Sequence, residues 1–496
     1  MILTSKVCER ITHFSKCKYI CEDFLTAVEN FEYIYLTMEV ITPKHRLLKF
    51  KKEVLDELKI DFKKIKPFDQ HLSEAESEEK LNKIILWLSN TPKNIVYRVN
   101  TILNRQQVVH HRIVEALKKY TRPIPIISTF PCVEELIIVN GWDKSVELNL
   151  ERQQYEVIVD AACGAAVLRG AHIYAPGVLG MPRGLKVGDI VSVYADLEQA
   201  CKKGLVTEYD KKNKLFVGNG IVQLTREQIF GHETEHTSGI AVTMTDIISH
   251  IPQINDNILP KGYVLLQNLP SILCSRVLDP QPGETVLDMC AAPGNKTTHI
   301  AALMENKGVV VAIEKIKNKL ERLNSNIENF SATIVKAYCF DSTKAVCDAE
   351  EKSIFDGPPY SKESFDRVLL DGPCSALGQR PQIRNPISVS QLRSYVPLQR
   401  KLFTSAVQLL RPGGTLVYST CTITIAENEG IIAWALKTFP NLELRSVREK
   451  LMSMKMEKFA TVGYTIDGLT TEQSDKLCRF DENDTVGFFI ACFIKR

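Results

Sequence analysis

No apolar stretch in this chain is long enough to cross a bilayer as a helix, which excludes a membrane span of that kind. The first residues lack an apolar core followed by a small-residue cleavage site, so no secretory signal is expected. Lys6, Arg10, Lys16 and Lys18 against Glu9 give a weak transit-like bias, which Glu22 and Asp23 end. The 14 cysteines lack paired spacing, and several sit in apolar runs. Without an export signal they read as reduced thiols, and the expected location is the cytoplasm. A strong charge of either sign is also missing: 62 Lys and Arg face 59 Asp and Glu, a net of +3. That excludes a basic field over the whole chain and leaves any polyanion to local patches.

Metal-ligand spacing is equally scarce. Cys17 and Cys21 have no second pair to complete a site. His232–His236 spells H-E-x-x-H, a pattern that holds zinc only on a helix. Gly231 before it and Thr237, Ser238 and Gly239 after it leave too little helix, so a polar loop and no metal are expected.

What is present is an ordinary globular composition, 44% hydrophobic and 24% charged over 496 residues, enough for two to four domains. Residues 1–43 form an extension with no legible role. Residues 44–153 read as a helix-rich α+β region. Helices are expected within 44–66, over Glu74–Leu88 and over Val108–Leu117, with strands at Val96–Val99 and Leu136–Val139. The base-rich stretch 44–66 reads as a solvated helix face rather than an RNA contact. Composition shifts near residue 154. Val157–Val159, Val167–Leu168, Ile190–Val193, Leu215–Val217 and Ile221–Leu224 are short β-like runs broken by Gly, Pro, Asp and Asn. They suggest a small all-β module over 154–246, inserted or appended between more helical regions.

From residue 247 to 496 strands and helices alternate, the pattern of a doubly wound α/β sheet. Strands are expected at Thr285–Asp288, Gly308–Ile313, Thr333–Lys336, Phe365–Leu370 and Gly414–Ser419, and helices notably at Lys317–Phe330 and Val396–Leu410. Ligands of such sheets sit beyond the carboxyl ends of the strands. After the first strand comes Val286–His299, VLDMCAAPGNKTTH, a strand, a small-residue loop and a helix start, where a ligand can approach the backbone. Alone, this is an ordinary βα turn. Glu314 ends the second strand, where an acid commonly takes a ribose hydroxyl pair. Asp341 follows the third, Asp371 the fourth, then Gly372, Pro373 and Cys374; Cys421 follows the fifth. One acid and two cysteines thus reach the same sheet edge. Both cysteines stand in polar, turn-like surroundings where a thiol can be reached and ionised. Cys274, Cys339, Cys347, Cys478 and Cys492 read as packing.

LDMCAAPGNKTTHIA, LLDGPCSALGQRP, YSTCTI and RFDENDTVGFFIACFIK resemble the Sun-domain (NSUN) family of RNA cytosine-5 methyltransferases, and RVNT at 98–101 and QNLPS at 267–271 extend the likeness. AVLRGAHIYAPGV and LKVGDIVSV resemble a PUA domain, as in the family's sixth, PUA-containing branch. The resemblance implies a Rossmann-like class I methyltransferase core that uses S-adenosylmethionine, and a monomer. It implies that Cys290, Ala291, Ala292, Pro293, Gly294 and Lys296 hold the methionine part of the cofactor. Glu314 would hold the ribose with Lys319 nearby, Asp341 the adenine, and Asp371 the cytosine ring. Cys421 would be the nucleophile and Cys374 would act in release; the residues alone leave open which thiol attacks. Arg169, Tyr174, Lys202 and Lys203 would grip the 3′-CCA end of a tRNA methylated near the end of its acceptor stem, with messenger RNA stem-loops as further substrates. Asn295 stands where the family usually has a second Gly, and Glu314 where Asp is usual.

The chemistry explains the residue types. Carbon 5 of cytosine is a poor nucleophile until a thiolate adds to carbon 6. An acid near ring nitrogen 3 and a later base for the carbon-5 proton complete the requirement, and Asp371 serves as the acid if burial raises its pKa. Two competitors are an enzyme of the same chemistry acting on ribosomal RNA and an RNA-binding protein with a vestigial core. The PUA-like module and the lack of long basic tails argue against the first. Lys296, Asp371, Cys374 and Cys421 together argue against the second. A DNA cytosine methyltransferase would not require Cys421.

Overall fold

The computed structural model describes residues 50–67, 70–209, 212, 214–231, 238–254, 256–348, 352–481 and 483–496. The extension 1–43, Cys17, Cys21 and the His232–His236 pattern lie outside the described residues. Among the described residues, no group of His, Cys, Asp or Glu is placed to hold a metal ion, and no helix is long and apolar enough to cross a membrane.

The carboxyl-terminal half is built on a sheet whose first five strands are parallel. Their spatial order is Val335–Cys339, Val309–Glu314, Thr285–Asp288, Phe365–Asp371 and Leu410–Thr420. Phe489–Lys495 then adds antiparallel to Leu410–Thr420. The chain runs outward from Thr285–Asp288 in one direction and returns through Phe365–Asp371 in the other. The crevice between these two strands is therefore the topological switch point, where doubly wound sheets bind ligands. Strand interiors such as Val286, Leu287, Val310, Val311, Val368 and Leu369 are fully buried, as a sheet covered on both faces requires. The helix expected from Val396 begins earlier and spans Val389–Leu409. Ser388 and Gln391 form a reciprocal capping box that starts it, and Pro397 is carried inside.

The amino-terminal region contributes helices Lys52–Phe62 and Glu74–Ser89 and an antiparallel sheet. Val54, Leu58, Phe62, Leu81 and Leu88 share one core with Leu392, Phe403 and Ile425 of the carboxyl-terminal half. The sheet orders Val264–Leu266, Asn94–Val99, Leu136–Asn140 and Ile127–Thr129. Its edge strand Val264–Leu266 follows the PUA-like segment in sequence, so that segment is an insertion between strands of one sheet.

Among the described residues the insertion has six strands, ordered Ile173–Tyr174, Ile240–Ile247, Lys214–Val222, Ile190–Asp196, Glu156–Val159 and Val178–Gly180. The two outer strands are joined by the short turn Ala175–Gly177, so the sheet curls toward closure. Two expectations change. Leu215–Val217 and Ile221–Leu224 belong to one strand, Lys214–Val222, which runs through Gly218. Gly218 has φ +151, and a Cβ there would meet Asp246 O at 2.2 Å. Val167–Leu168 is not a strand but the end of helix Ala161–Leu168. Asp160 caps that helix by accepting from Cys163 N at 2.7 Å. Its small residues let it lie on Ile190–Asp196, where a Cβ on Gly164 would sit 2.4 Å from Ala195 Cβ.

A buried ion pair ties the last strands to the start of helix Glu429–Thr438. Arg479 Nε and Nη2 donate to Glu429 Oε1 and Oε2, each at 2.7 Å, and both side chains are essentially inaccessible. Removing one partner strands the other charge. Arg479→Met should lower stability by about 3–5 kcal/mol in denaturant unfolding. Arg479 Nη1 also donates to buried Asp481 Oδ2 at 3.1 Å. Arg479→Met with Glu429→Gln and Asp481→Asn should therefore recover part of that loss; no recovery would mean that packing, not the stranded charges, carries the effect.

Candidate active site

Strand Thr285–Asp288 delivers the small-residue loop into the switch-point crevice. Met289 N donates to Leu369 O at 3.1 Å and Ala291 N to Ile313 O at 3.0 Å, so the loop is laid across both neighbouring strands. Gly294 then starts helix Asn295–Leu303 with φ +102, and a Cβ would stand 2.7 Å from Leu323 Cδ1. Conformation and space both demand glycine at this position. Asn295 is the first helical residue and needs no left-handed backbone, so Asn in place of a second Gly costs no strain here.

Carboxylates surround the loop. Asp288 is buried; Thr297 Oγ1 donates to its Oδ2 at 2.7 Å, while Oδ1 has no partner. Burial pushes its pKa up to about 6. Glu314 is buried at the end of Val309–Glu314, and its Oε1 accepts from Ile316 N at 2.8 Å. Asp341 accepts from Thr343 N at 3.0 Å and Oγ1 at 2.7 Å, and Lys315 Nζ lies 2.9 Å from it. Burial opposes its ionisation, yet Lys315 and Thr343 hold its pKa down to about 2. Desolvation and the charges of Asp288, Asp371, Glu314 and Asp341 push the Cys290 thiol well above its ordinary range. Lys319 is exposed in the first turn of helix Lys317–Asn329. S-adenosylmethionine carries a sulfonium and an α-ammonium. A ring of carboxylates around a backbone loop, one with an unpartnered buried oxygen, fits such a cation.

Across the crevice, Asp371 ends its strand in register with Ser419. Ser419 Oγ donates to Asp371 Oδ1 and Lys296 Nζ to Oδ2, each at 2.6 Å. Asp371 is 30% exposed, so its surroundings are set by this lysine rather than by deep burial. Lys296 is nearly buried; desolvation opposes its charge, but Asp371 keeps its pKa up at about 12. Its Nζ also lies 5.1 Å from the centre of the Phe488 ring.

The Sγ atoms of Cys374 and Cys421 stand 3.4 Å apart, both thiols free and half-buried. The hydrogen bond from Cys374 lowers the Cys421 pKa, with Lys296 and Gln379 assisting against burial and Asp371. The same contact, burial and the charge of Glu427 push Cys374 well up. Of the two thiols, Cys421 is therefore the one whose ionisation is favoured and Cys374 the one whose ionisation is opposed.

Of the four basic and aromatic residues of the insertion, Tyr174, Lys202 and Lys203 lie on or beside its outer strands. Arg169 follows helix Ala161–Leu168, and its Nη1 reaches the carbonyl of Arg380, in the GQRP segment beyond Cys374, at 3.4 Å. Tyr174 ends an outer strand and is 50% exposed. Lys202 and Lys203 are exposed on a loop whose Gly204 N donates to Leu179 O, on the opposite outer strand, at 2.7 Å. The structure records no contact between Tyr174 and this lysine pair.

Several residues of the site were not legible in sequence. Lys315, which pairs with Asp341, sits beside Glu314 in an ordinary polar turn. Glu427, buried beneath Cys374, reads as one acid among the polar residues of AENEG. Gln399 lies mid-helix. The only signals were that Lys315 adjoins Glu314 and that Glu427 follows shortly after Cys421.

A family model described as 16S rRNA methyltransferase RsmB/F matches residues 275–494, and a PUA domain model matches 155–236. The chain is 44% identical over 453 residues to the tRNA (cytosine(72)-C(5))-methyltransferase NSUN6 of Mus musculus, covering 85% of this chain and 91% of that one. It is 42% identical over 445 residues to the Homo sapiens protein of the same name, with 86% and 93% covered. The crystal structure of NSun6 from Pyrococcus horikoshii, solved with the S-adenosylmethionine analogue SFG, matches with a TM-score of 0.64 and 29% identity. That match covers 91% of this chain and 99% of the other. The chain belongs to the Sun-domain family of S-adenosylmethionine-dependent RNA cytosine-C5 methyltransferases, in the branch that carries a PUA domain.

Proposed function

We propose that this enzyme methylates carbon 5 of cytosine 72, near the 3′ end of the acceptor stem, in tRNAs that carry the terminal CCA. The 3.4 Å approach of Cys374 to Cys421 beside the Lys296–Asp371 pair is the observation that carries the chemistry, because a binding protein has no use for such a constellation. The choice of base is supported by two relatives named for cytosine 72 of tRNA. Stem-loops of messenger RNA are a second substrate class, and the enzyme works as a monomer in the cytoplasm.

In this reading the Cys290–Gly294 loop and Lys296 hold the methionine part of the cofactor, Glu314 the ribose with Lys319 nearby, and Asp341 the adenine. Bound S-adenosylmethionine supplies the methyl group as an electrophilic sulfonium carbon. Cys421 adds as thiolate to carbon 6 of the flipped-out cytosine and makes carbon 5 nucleophilic. Leaving the stack costs the base a few kcal/mol, about the least at a fraying stem end. Asp371, fixed by Lys296 and Ser419, faces the ring at nitrogen 3. Once carbon 6 caps the Cys421 sulfur, the contact that most strongly held the proton on Cys374 is gone. Cys374 then loses that proton to water and takes the one on carbon 5, the carbon 6–sulfur bond breaks, and Cys421 leaves as thiolate. Arg169, Tyr174, Lys202 and Lys203 grip the CCA end.

Cys421→Ala should abolish both turnover and covalent RNA adducts. Cys374→Ala should still attack and release slowly, so an RNA–protein adduct resistant to denaturation should build up on gels. The opposite pattern would exchange the two roles. Lys202→Ala with Lys203→Ala should weaken binding of CCA-ended RNA more than of RNA lacking CCA; equal losses would reject CCA recognition. The function itself is tested by methyl transfer from labelled S-adenosylmethionine to tRNA transcripts with and without CCA. Transfer that needs CCA and yields 5-methylcytosine at position 72 is expected, and transfer indifferent to CCA would move the substrate elsewhere.

A further inference from the structure

Beneath the thiol pair lies a carboxylate that the reaction above does not use. Glu427 is 1% exposed and receives four donors. Ser375 Oγ reaches its Oε1 at 2.5 Å and Thr424 Oγ1 at 3.0 Å; Ser375 N reaches its Oε2 at 3.0 Å and Gln399 Nε2 at 2.9 Å. Gln399 Nε2 also donates to Pro373 O at 3.0 Å. The backbone is thereby held on both sides of Cys374, at Pro373 and at Ser375, by one carboxylate and its amide partner. Ser375 Oγ and Thr422 Oγ1, on the residues that follow the two cysteines, stand 2.6 Å apart. Gly378 N donates to Cys421 O at 2.9 Å. The segments bearing the two thiols are thus bolted together next to Glu427.

The charges around the pair have a direction. Lys296, from helix Asn295–Leu303, favours a thiolate at Cys421, while Asp371 opposes one there. Glu427 opposes ionisation of Cys374 from the other side. Tyr395, on helix Val389–Leu409, and Tyr418, on Leu410–Thr420, also face this region, and burial raises both phenols, which keeps them neutral. Burial raises the Glu427 carboxyl as well, and its donors work against that rise. Of these donors the backbone N–H of Ser375 cannot turn round to accept, and Gln399 Nε2 is held by Pro373 O as well.

We propose that Glu427 is the positioning residue of the two-thiol site: its carboxylate, with Gln399, clamps Pro373–Ser375 so that Cys374 faces Cys421. Its charge adds to the contact with Cys421 and to burial in opposing a thiolate at Cys374. A second brace sets the position of Glu427 itself. Asp61, at the end of helix Lys52–Phe62, accepts from Ile425 N at 2.7 Å and from Ala426 N at 3.2 Å, immediately before it. The amino-terminal helices thereby reach the thiol pair through two short links.

The proposal rests on the two-thiol reading above; its first test, alkylation of the two thiols, needs neither RNA nor cofactor, so a wrong choice of tRNA target leaves that test standing, and turnover and adduct release are read separately. The full-length protein is treated with iodoacetamide across a pH series, and the Cys374 and Cys421 peptides are quantified by mass spectrometry. In the wild type Cys421 should react at lower pH than Cys374. Glu427→Gln keeps the shape and removes the charge; it should narrow the preference for Cys421 by about tenfold, which is one pKa unit. Turnover should fall while KM for S-adenosylmethionine stays unchanged. Gln399→Met loosens the clamp at Pro373 and leaves the charge, so it should slow adduct release without changing the order of alkylation. A folded Glu427→Gln protein with wild-type preference and turnover overturns the proposal. So does a change of order in Gln399→Met. If Glu427→Gln does not fold, the wild-type series decides: Cys374 reacting first overturns the assigned order of ionisation.

Discussion

The contact between Lys296 Nζ and Asp371 Oδ2 crosses the switch point of the sheet, and the active site is arranged around it. Its two halves come from the helix after the first strand and from the end of the fourth, so it exists only where strand order reverses. A pair this poorly hydrated adds little net stability, because desolvation offsets attraction. Its value lies in placement. It fixes both oxygens of Asp371 toward known donors, and it sets a permanent positive charge beside one of two thiols that would otherwise be equivalent. Two identical groups 3.4 Å apart titrate as a pair, and the surrounding field decides which of them ionises more readily.

The amino-terminal region supports that arrangement from behind. Arg98, nearly inaccessible, donates to Thr298 Oγ1 at 2.9 Å on the helix that carries Lys296. Glu135 accepts from Arg276 Nε at 2.7 Å and lies 2.9 Å from His299 Nε2 on the same helix. Burial lowers the His299 pKa to about 4, so it meets Glu135 as a neutral donor at neutral pH. Asn100 Nδ2 donates to the carbonyls of Gly262 and Phe330 at 2.8 and 2.9 Å. The RVNT segment is thus an interface that holds the helix bearing Lys296. Asp61 does the same for the loop that ends in Glu427.

The insertion of the PUA-like module into the sheet of this region has a mechanical consequence. Its chain leaves after Leu136–Asn140 and returns at Val264–Leu266, so two connections anchor it to the part that braces the site. Arg169 extends from it to the Arg380 carbonyl. The guanidinium of Arg380 in turn donates to the carbonyls of Trp87 at 2.9 Å and Thr485 at 2.6 Å. The insertion is thereby set at a fixed position relative to the segment that follows Cys374.

The sequence by itself determined the alternation of strands and helices from residue 247 onward, since a sheet covered on both faces needs unbroken apolar strands. It determined which residues end those strands, and therefore that Asp288, Glu314, Asp341, Asp371, Cys374 and Cys421 meet at one edge. Local chemistry misled where short range was all it used. Val167–Leu168 has β-branched character, but Asp160 and a run of small residues make it the end of a helix that packs on a strand. Gly218 and Gly220 look like strand breaks and lie inside one. Which thiol ionises more readily was beyond any reading of the chain order. That depends on Lys296 lying on one side of the pair and Glu427 on the other, residues far apart in sequence whose distances only the folded sheet sets. Coulomb interactions follow separation in space, and the tertiary structure alone decides that.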